Sequence, residues 1–194
     1  MIVQRTISKA KSQTDAHHLD AAANFAASNS DILRTRNGVE LSLRPICPND
    51  APALVRAFAN LTLEQVRMRL FYSLSELPLE MARQLCDVNP DRVAAFVVTK
   101  PGDSEILAEA RVVVDRSAAL AEFAIIVDAD WTGVGVAHAL MTRLIDECRR
   151  RGVGEIWGDV LANNRAMLDL VQRLGFERVS NPIDHSLVRA SLAL

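Results

Sequence analysis

Two glycines one residue apart, Gly133 and Gly135, stand where an alternating apolar segment gives way to a strongly amphipathic one. Glycine lets the backbone adopt left-handed conformations, and a helix N-terminus presents several free N–H groups. Together these features can bring backbone amides onto an anion, and the arrangement suits a pyrophosphate. The alternative is a strand-to-helix turn that needs glycine for its geometry only.

The segments on either side of the glycines predict the elements that would hold this loop. Leu120 to Val127 reads as a strand that leads directly into it. After the loop, apolar residues recur every four positions and predict an amphipathic helix that Gly152 closes. A strand from Ile156 to Leu161 and a helix ended by Gly175 follow.

The first part of the chain predicts further strands and helices. A strand over residues 39–43 follows the Asn37-Gly38 turn, and helices are expected after Asn49 or Asp50, over 63–71 and over 78–87. The remaining predicted strands form a hairpin over 93–98 and 106–114 and a terminal pair over 176–179 and 186–192. This order favours an α/β fold with a mixed sheet and helices on its faces.

Composition limits the class of protein. The chain has 194 residues, of which 49% are hydrophobic and 24% charged, which is typical of one globular domain. Residues 1–36 have few large apolar side chains and are expected to form an extension to a domain over 37–194. The net charge of −2 gives no general attraction to nucleic acid or anionic membranes.

Cysteine usage and hydropathy bear on the compartment. The three cysteines are far apart and include no CxxC pair, which favours neither a disulfide framework nor a zinc site. No apolar run approaches the length of a membrane span, and the first residues lack the apolar core of a secretory signal. A cytoplasmic protein is expected.

Three segments together resemble the GNAT superfamily of acyl-CoA-dependent N-acyltransferases. They are the strand Ala121-Glu122-Phe123-Ala124-Ile125-Ile126-Val127, the turn from Asp130 to Ala137, and Asn164-Arg165-Ala166-Met167 followed by Leu174-Gly175-Phe176. The resemblance covers about residues 39–194 and implies a GNAT-type mixed, mostly antiparallel sheet with helices on both faces. Within the superfamily, Leu43-Arg44-Pro45-Ile46, Arg69-Leu70-Phe71 and Ala121-Glu122-Phe123-Ala124 are most similar to the acetyltransferase domain of bacterial protein lysine acetyltransferases.

The resemblance implies acetyl-CoA as acyl-donor cosubstrate and no metal. The family's phosphate loop, Gln/Arg-x-x-Gly-x-Gly/Ala, maps onto Thr132, Gly135 and Ala137. Thr132 replaces a long polar residue, and Val134 stands where many relatives carry Arg or another polar residue. Two side-chain phosphate contacts are therefore expected to be missing. The expected contacts are then backbone amides, at Gly133, Val134, Gly135, Val136, Ala137 and His138.

Glu122 is the expected general base, because many protein-acetylating relatives hold a Glu at this position. An amine must lose its proton before it attacks a thioester, so a positioned carboxylate is valuable. The alternatives for Glu122 are a solvent-facing strand residue and a partner for an arginine. Glu109, on the preceding strand, is the alternative base.

Other residues acquire expected roles from the same resemblance. A backbone N–H near Ile126 or Val127 would stabilise the oxyanion. Asn164 would contact the cofactor arm, cap the following helix, or do both. His138 would face a phosphate or lie on the helix surface. Many relatives use a Tyr seven residues after this Asn as general acid, where this chain has Val171; its single tyrosine, Tyr72, is a pocket or packing residue.

The sequence thus predicts an acetyl-CoA-dependent N-acetyltransferase that acts by direct transfer in a ternary complex. The expected acceptor is a protein lysine. A small amine is the nearest alternative, and a non-catalytic acyl-CoA-binding sensor domain is a third. A homodimer could form through an exposed sheet edge or the C-terminal strands.

Overall fold

The periodic apolar segments form a mixed sheet in the computed structural model, which describes residues 29–61, 76–182 and 184–194. Within these residues the strands are β1 (Asp31–Arg34), β2 (Glu40–Pro45), β3 (Val93–Thr99), β4 (Ala108–Val114), β5 (Leu120–Val127), β6 (Glu155–Leu161), β7 (Glu177–Ser180) and β8 (Leu187–Ala193). The order across the sheet is β1-β2-β3-β4-β5-β6-β8-β7. Every neighbouring pair is antiparallel except β5 and β6, which are parallel. The mixed, mostly antiparallel sheet is confirmed.

Helices cover both faces of this sheet, as predicted. In the described residues they are α1 (Ala51–Ala59), α2 (Leu79–Cys86), α3 (Val136–Arg150) and α4 (Arg165–Arg173). Buried residues of α1 and α2 form one apolar cluster with Val93, Ala95 and Val97 of β3. Those of α3 and α4 form the other cluster with Ala94 and Phe96. Adjacent residues of β3 therefore face opposite layers, as the alternation of side chains along a strand requires.

Most predicted elements lie within two residues of their observed bounds. The four apolar positions used to predict α3, Val136, Leu140, Leu144 and Cys148, are all fully buried. The helix predicted over 63–71, together with Tyr72, lies outside the described residues. No helix in the described part of the chain is long and apolar enough to cross a membrane.

Strand β1 was missed by the sequence analysis, which placed it in the N-terminal extension. Asp31–Arg34 pairs antiparallel with β2, in a register that sets Leu33 opposite Leu41. The predicted boundary between residues 36 and 37 therefore falls inside a hairpin. Strand β1 has only four residues, and its Ile32 is 76% exposed, so no alternating pattern revealed the strand.

Candidate active site

The glycine loop has the conformation that its sequence predicts. A short 3₁₀ turn, Ala129–Trp131, follows β5, and α3 begins at Val136 with Gly135 as its N-cap. Gly133 has φ +75° and Gly135 has φ +105°. Side chains with a Cβ rarely adopt these angles, so the loop needs glycine at both positions.

The loop presents a run of backbone donors. In the described residues, the N–H groups of residues 133–138 have no protein acceptor. The last of them belong to the first turn of α3, where the helix dipole carries positive potential. Six consecutive amides at the positive end of a 15-residue helix are an arrangement that can hold an anion.

The side chains of the loop add no cation of their own. The Thr132 hydroxyl donates to the Ala129 carbonyl oxygen at 2.8 Å, which closes the preceding turn. Val134 is half-buried and packs against the core. His138 is exposed in the first turn of α3. The donors that the loop offers to an anion are therefore mainly those of the main chain.

Strands β5 and β6 part next to this loop. Their parallel pairing ends at Glu122 and Trp157, although β5 continues to Val127 and β6 to Leu161. The phenyl ring of Phe123 lies against Gly158 just beyond the last pair. The carboxyl halves of the two strands thus diverge, which opens a cleft between them.

The main chain of β5 distinguishes Ile126 from Val127. Asp128 donates its N–H to the Leu107 carbonyl oxygen at 2.9 Å, on the side of β4. Alternate amides of a strand point the same way, so the amide of Ile126 also faces β4, opposite Glu109. The amide of Val127 then faces the diverging strand β6. The two residues named from the sequence are therefore not equivalent.

Glu122 stands at the last position of β5 that pairs with β6, and its side chain is half-buried. Its neighbours Ala121 and Phe123 belong to the cluster beneath α3. Because side chains alternate, Glu122 projects from the opposite face of the sheet, the face that α1 and α2 cover elsewhere. The Glu122 carboxylate thus lies on β5, the cleft borders the same strand, and the glycine loop follows its C-terminal end.

Glu109 is enclosed rather than accessible. It is 3% exposed, and its Oε1 lies 2.5 Å from Nε of the buried Arg111. Arg111 also donates to the Leu85 carbonyl oxygen of α2 at 3.3 Å. This ion pair lies beneath α2, so the geometry does not favour Glu109 as the alternative base.

Asn164 lies at the same end of the sheet as the glycine loop, because β5 and β6 are parallel and both lead out at their carboxyl ends. Its Oδ1 accepts a hydrogen bond from the Met167 N–H at 3.2 Å, so it is the N-cap of α4. The structure thus shows the capping role. The contact with the cofactor arm stays a prediction, in keeping with the position of the half-buried Asn164 after the end of β6.

Val171, which was named from the sequence, and a run of three arginines also have clear places in the structure. Val171 is fully buried in the core of α4, so a general acid is not provided at this position. Arg149, Arg150 and Arg151 lie at the C-terminal end of α3 and pair with Asp146 or Glu147. At 1.5 Å per residue, that end is about 20 Å from the glycine loop.

The sequence analysis missed a cluster on the face of Glu122. Arg189 of β8 donates to Asp159 of β6, with Nε 2.6 Å from Oδ1, and its guanidinium lies 3.9 Å from the ring centroid of Trp157. Trp157 is the register partner of Glu122. Strand alternation could have placed these residues on one face, but only the pairing of β6 with β8 brings them together.

The fold and site define an α/β protein that can hold an anion on backbone amides beside two parted strands. The model of the acetyltransferase (GNAT) family matches residues 61–176, more than half of the chain. The chain therefore belongs to this family, and the resemblance stated from its motifs is confirmed.

Curated relatives are acetyltransferases. An acetyltransferase of Pseudomonas aeruginosa is 29% identical over 177 residues, which are 88% of this chain and 94% of the relative. The [Ribosomal protein bS18]-alanine N-acetyltransferase of Escherichia coli is 36% identical over 90 residues, 46% of this chain and 59% of that enzyme. Acetyltransferase Pat of Mycolicibacterium smegmatis is 28% identical over 74% of this chain but only 43% of its own length. The chain thus spans only part of the latter two relatives.

Solved structures share the fold. The GNAT domain of S. lividans PAT superposes with a TM-score of 0.78 at 22% identity and covers 94% of this chain and 100% of that domain. A cAMP-binding acyltransferase from Mycobacterium smegmatis gives a TM-score of 0.62 at 24% identity, covering 91% of this chain and 51% of that protein. These similarities confirm the predicted fold.

Proposed function

We propose that this chain transfers the acetyl group of acetyl-CoA to an amine by direct attack in a ternary complex. The observation that carries the proposal is the run of six backbone amides over residues 133–138, which lack a protein acceptor among the described residues. Their number and their place at the positive end of α3 fit a pyrophosphate. A solved relative, an acetyltransferase from Salmonella typhimurium, contains acetyl-CoA.

The parted strands would hold the rest of the donor. From the amide alternation described above, the main-chain groups of Phe123, Ile125 and Val127 face the gap between β5 and β6. An amide-containing pantetheine arm can pair with such groups as an added strand would. We assign the Asn164 side chain, which follows the end of β6, as a contact to the same arm.

Glu122 would act as the base, directly or through water. An amine of pKa about 10.4 is neutral in only roughly one molecule in two thousand at pH 7, which corresponds to a barrier of about 4–5 kcal/mol. Glu122 first takes a proton from the ammonium group, and the neutral amine nitrogen then attacks the thioester carbon. The second proton of that nitrogen passes to the departing sulfur or to water. We assign the Val127 N–H as a donor to the resulting oxyanion, because it faces the cleft whereas the Ile126 N–H faces β4.

Collapse of the tetrahedral intermediate breaks the carbon–sulfur bond and releases CoA as a thiolate. A thiolate whose conjugate acid has a pKa of about 8.5 is an adequate leaving group without a strong general acid. The buried Val171 is therefore compatible with turnover.

The acceptor we propose is an amine of a protein, with lysine as the first choice. The surface at the end of β5 supports a cationic acceptor, since an open depression of about 390 Å³ has three acidic residues and one Lys in its wall. The acidic residues are Glu105, Asp128 and Asp130, and the lysine is Lys100. The name of the E. coli relative favours a protein's alanine amine as the second candidate.

Thiol release from acetyl-CoA, measured against an acceptor panel, tests this proposal. The panel contains a lysine peptide with a blocked N-terminus, a peptide with a free N-terminal alanine, and small amines. Glu122→Gln should lower kcat by about 10²- to 10⁴-fold with little change in CoA affinity. Glu177→Gln, on the exposed strand β7, is the matched control and should behave as wild type.

The outcomes separate the alternatives. Calorimetric binding of CoA without turnover on any acceptor would refute the enzyme and favour a sensor domain. Turnover of small amines alone would refute a protein acceptor. If Glu122→Gln keeps the wild-type kcat and pH profile, another group is the base.

A further inference from the structure

The turn between β1 and β2 lies directly on the glycine loop. The Arg36 N–H donates to the Val134 carbonyl oxygen at 2.9 Å. This hydrogen bond joins the N-terminal hairpin to the loop across about a hundred residues of sequence. The bond involves only the main chain, so it fixes the position of residue 36 whatever its side chain.

The side chain of Arg36 runs beside the loop. A methyl group added at Gly135 would lie 3.9 Å from Arg36 Cγ, in ordinary van der Waals contact. Gly135 is the N-cap of α3 and lies in the middle of the amide run. The stem of an arginine thus passes alongside the proposed pyrophosphate site.

The charge of Arg36 is not used elsewhere in the described structure. Nearby arginines have acidic partners: Arg34 pairs with Glu40 at 2.8 Å, and Arg143 pairs with Asp31 at 3.1 Å. Arg36 is exposed and has no ion-pair partner among residues 29–61, 76–182 and 184–194.

We propose that Arg36 supplies the charged contact with the CoA pyrophosphate that the loop itself lacks. This inference rests on the proposed function. Thr132 and Val134 offer no cation, and the planar guanidinium is well suited to binding phosphate oxygens through two N–H groups. The hairpin would thus compensate for the departures of the loop from the family pattern.

Calorimetric titration of the full chain with CoA tests the contact. Arg36→Ala should weaken CoA binding by about 10- to 100-fold, since it removes charge-assisted hydrogen bonds. Arg36→Lys should recover part of the affinity because it keeps the charge but not the bidentate geometry. Arg34→Ala removes an equal charge from the same hairpin and is the matched control; it should bind CoA as wild type does.

A second titration with 3′-dephospho-CoA identifies the phosphate. The loss caused by Arg36→Ala should be the same for CoA and 3′-dephospho-CoA and should shrink as salt is raised. A loss confined to CoA would overturn the assignment in favour of the 3′-phosphate. Equal affinities for Arg36→Ala and Arg34→Ala would overturn the inference, whereas a wild-type chain that binds no CoA would instead refute the proposed function. Circular dichroism and Tm of each variant confirm that the hairpin stays folded.

Discussion

The ring of Phe123 lies so close to Gly158 that a methyl group added there would come within 2.7 Å of Cζ. The same ring meets Phe176 edge to face, with centroids 5.6 Å apart and planes at 82°. Phe123 is the first residue of β5 beyond its last pair with β6. The divergence of these strands therefore has an aromatic ring at its apex, which is accommodated because β6 has no side chain at that point.

We expect Gly158→Ala to be destabilising. The ring is buried and held by Phe176, so it cannot move away freely, and overpacking of this kind costs about 1–3 kcal/mol. Urea denaturation measures the loss. Phe123→Leu should relieve the clash, so the double variant should be more stable than the sum of the single effects predicts. If the two stability losses simply add, the Phe123 ring is not the cause of the loss in Gly158→Ala.

Gly135→Ala is expected to weaken CoA binding. A φ of +105° is unfavourable for alanine and costs on the order of 1–3 kcal/mol unless the loop shifts, which would misalign the amides. Gly102→Ala is a matched control, because Gly102 also has a positive φ, +73°, in the turn between β3 and β4. It should lose stability but keep the CoA affinity of the wild type. An equal loss of affinity in both variants would contradict a specific role for the loop.

Substitutions of Asn164 should separate its two roles. Asn164→Ala removes the cap of α4 and should cost about 1 kcal/mol of stability. Asn164→Asp retains an oxygen acceptor for the cap and should keep the stability of the wild type. Both variants lack the amide N–H₂ donor, so both should raise the KM for acetyl-CoA. If Asn164→Asp has an unchanged KM, Asn164 is a helix cap alone.

The buried pair of Glu109 and Arg111 gives a stability prediction. Glu109→Leu leaves a buried guanidinium without its carboxylate and should cost about 3–5 kcal/mol. Glu109→Leu combined with Arg111→Met should recover most of that loss, because the remaining charge is also removed. Thermal unfolding of the two variants provides the test. A stable Glu109→Leu variant without activity would instead support Glu109 as the base.

Glu147 should make stability depend on acidic pH. Burial alone would raise the pKa of Glu147, but hydrogen bonds from Arg150 and Arg151 hold it below its ordinary value of 4.5. A lowered pKa stabilises the fold above the unfolded value, and this contribution is lost as the pH falls through the folded pKa.

Glu147→Gln should therefore lower the free energy of unfolding near neutral pH by about 0.5–1 kcal/mol. The difference from wild type should close as the pH falls below 4.5. Asp146→Asn, which loses a longer and more exposed pair with Arg149, should match wild type at each pH. A difference that persists in acid would show that the effect comes from packing rather than charge.

Local patterns predicted most of the fold. The every-fourth-residue spacing of α3 and the alternation of β5 depend on neighbours in sequence, and the structure confirms both elements. Strand β1 escaped prediction because its stability comes from pairing with β2 rather than from its own four residues. The hairpin that it forms with β2 spans the predicted boundary between residues 36 and 37.

The sequence by itself determined the glycine loop, the helix it begins and the family to which both point, because these properties lie within short stretches of chain. The tertiary structure decided which strand amide faces the cleft, enclosed Glu109 with Arg111, and brought Arg36 to Gly135. Each of these depends on strand register or hairpin docking between distant segments. The periodicity of a single segment does not encode which partner it will meet, so only the assembled sheet could show them.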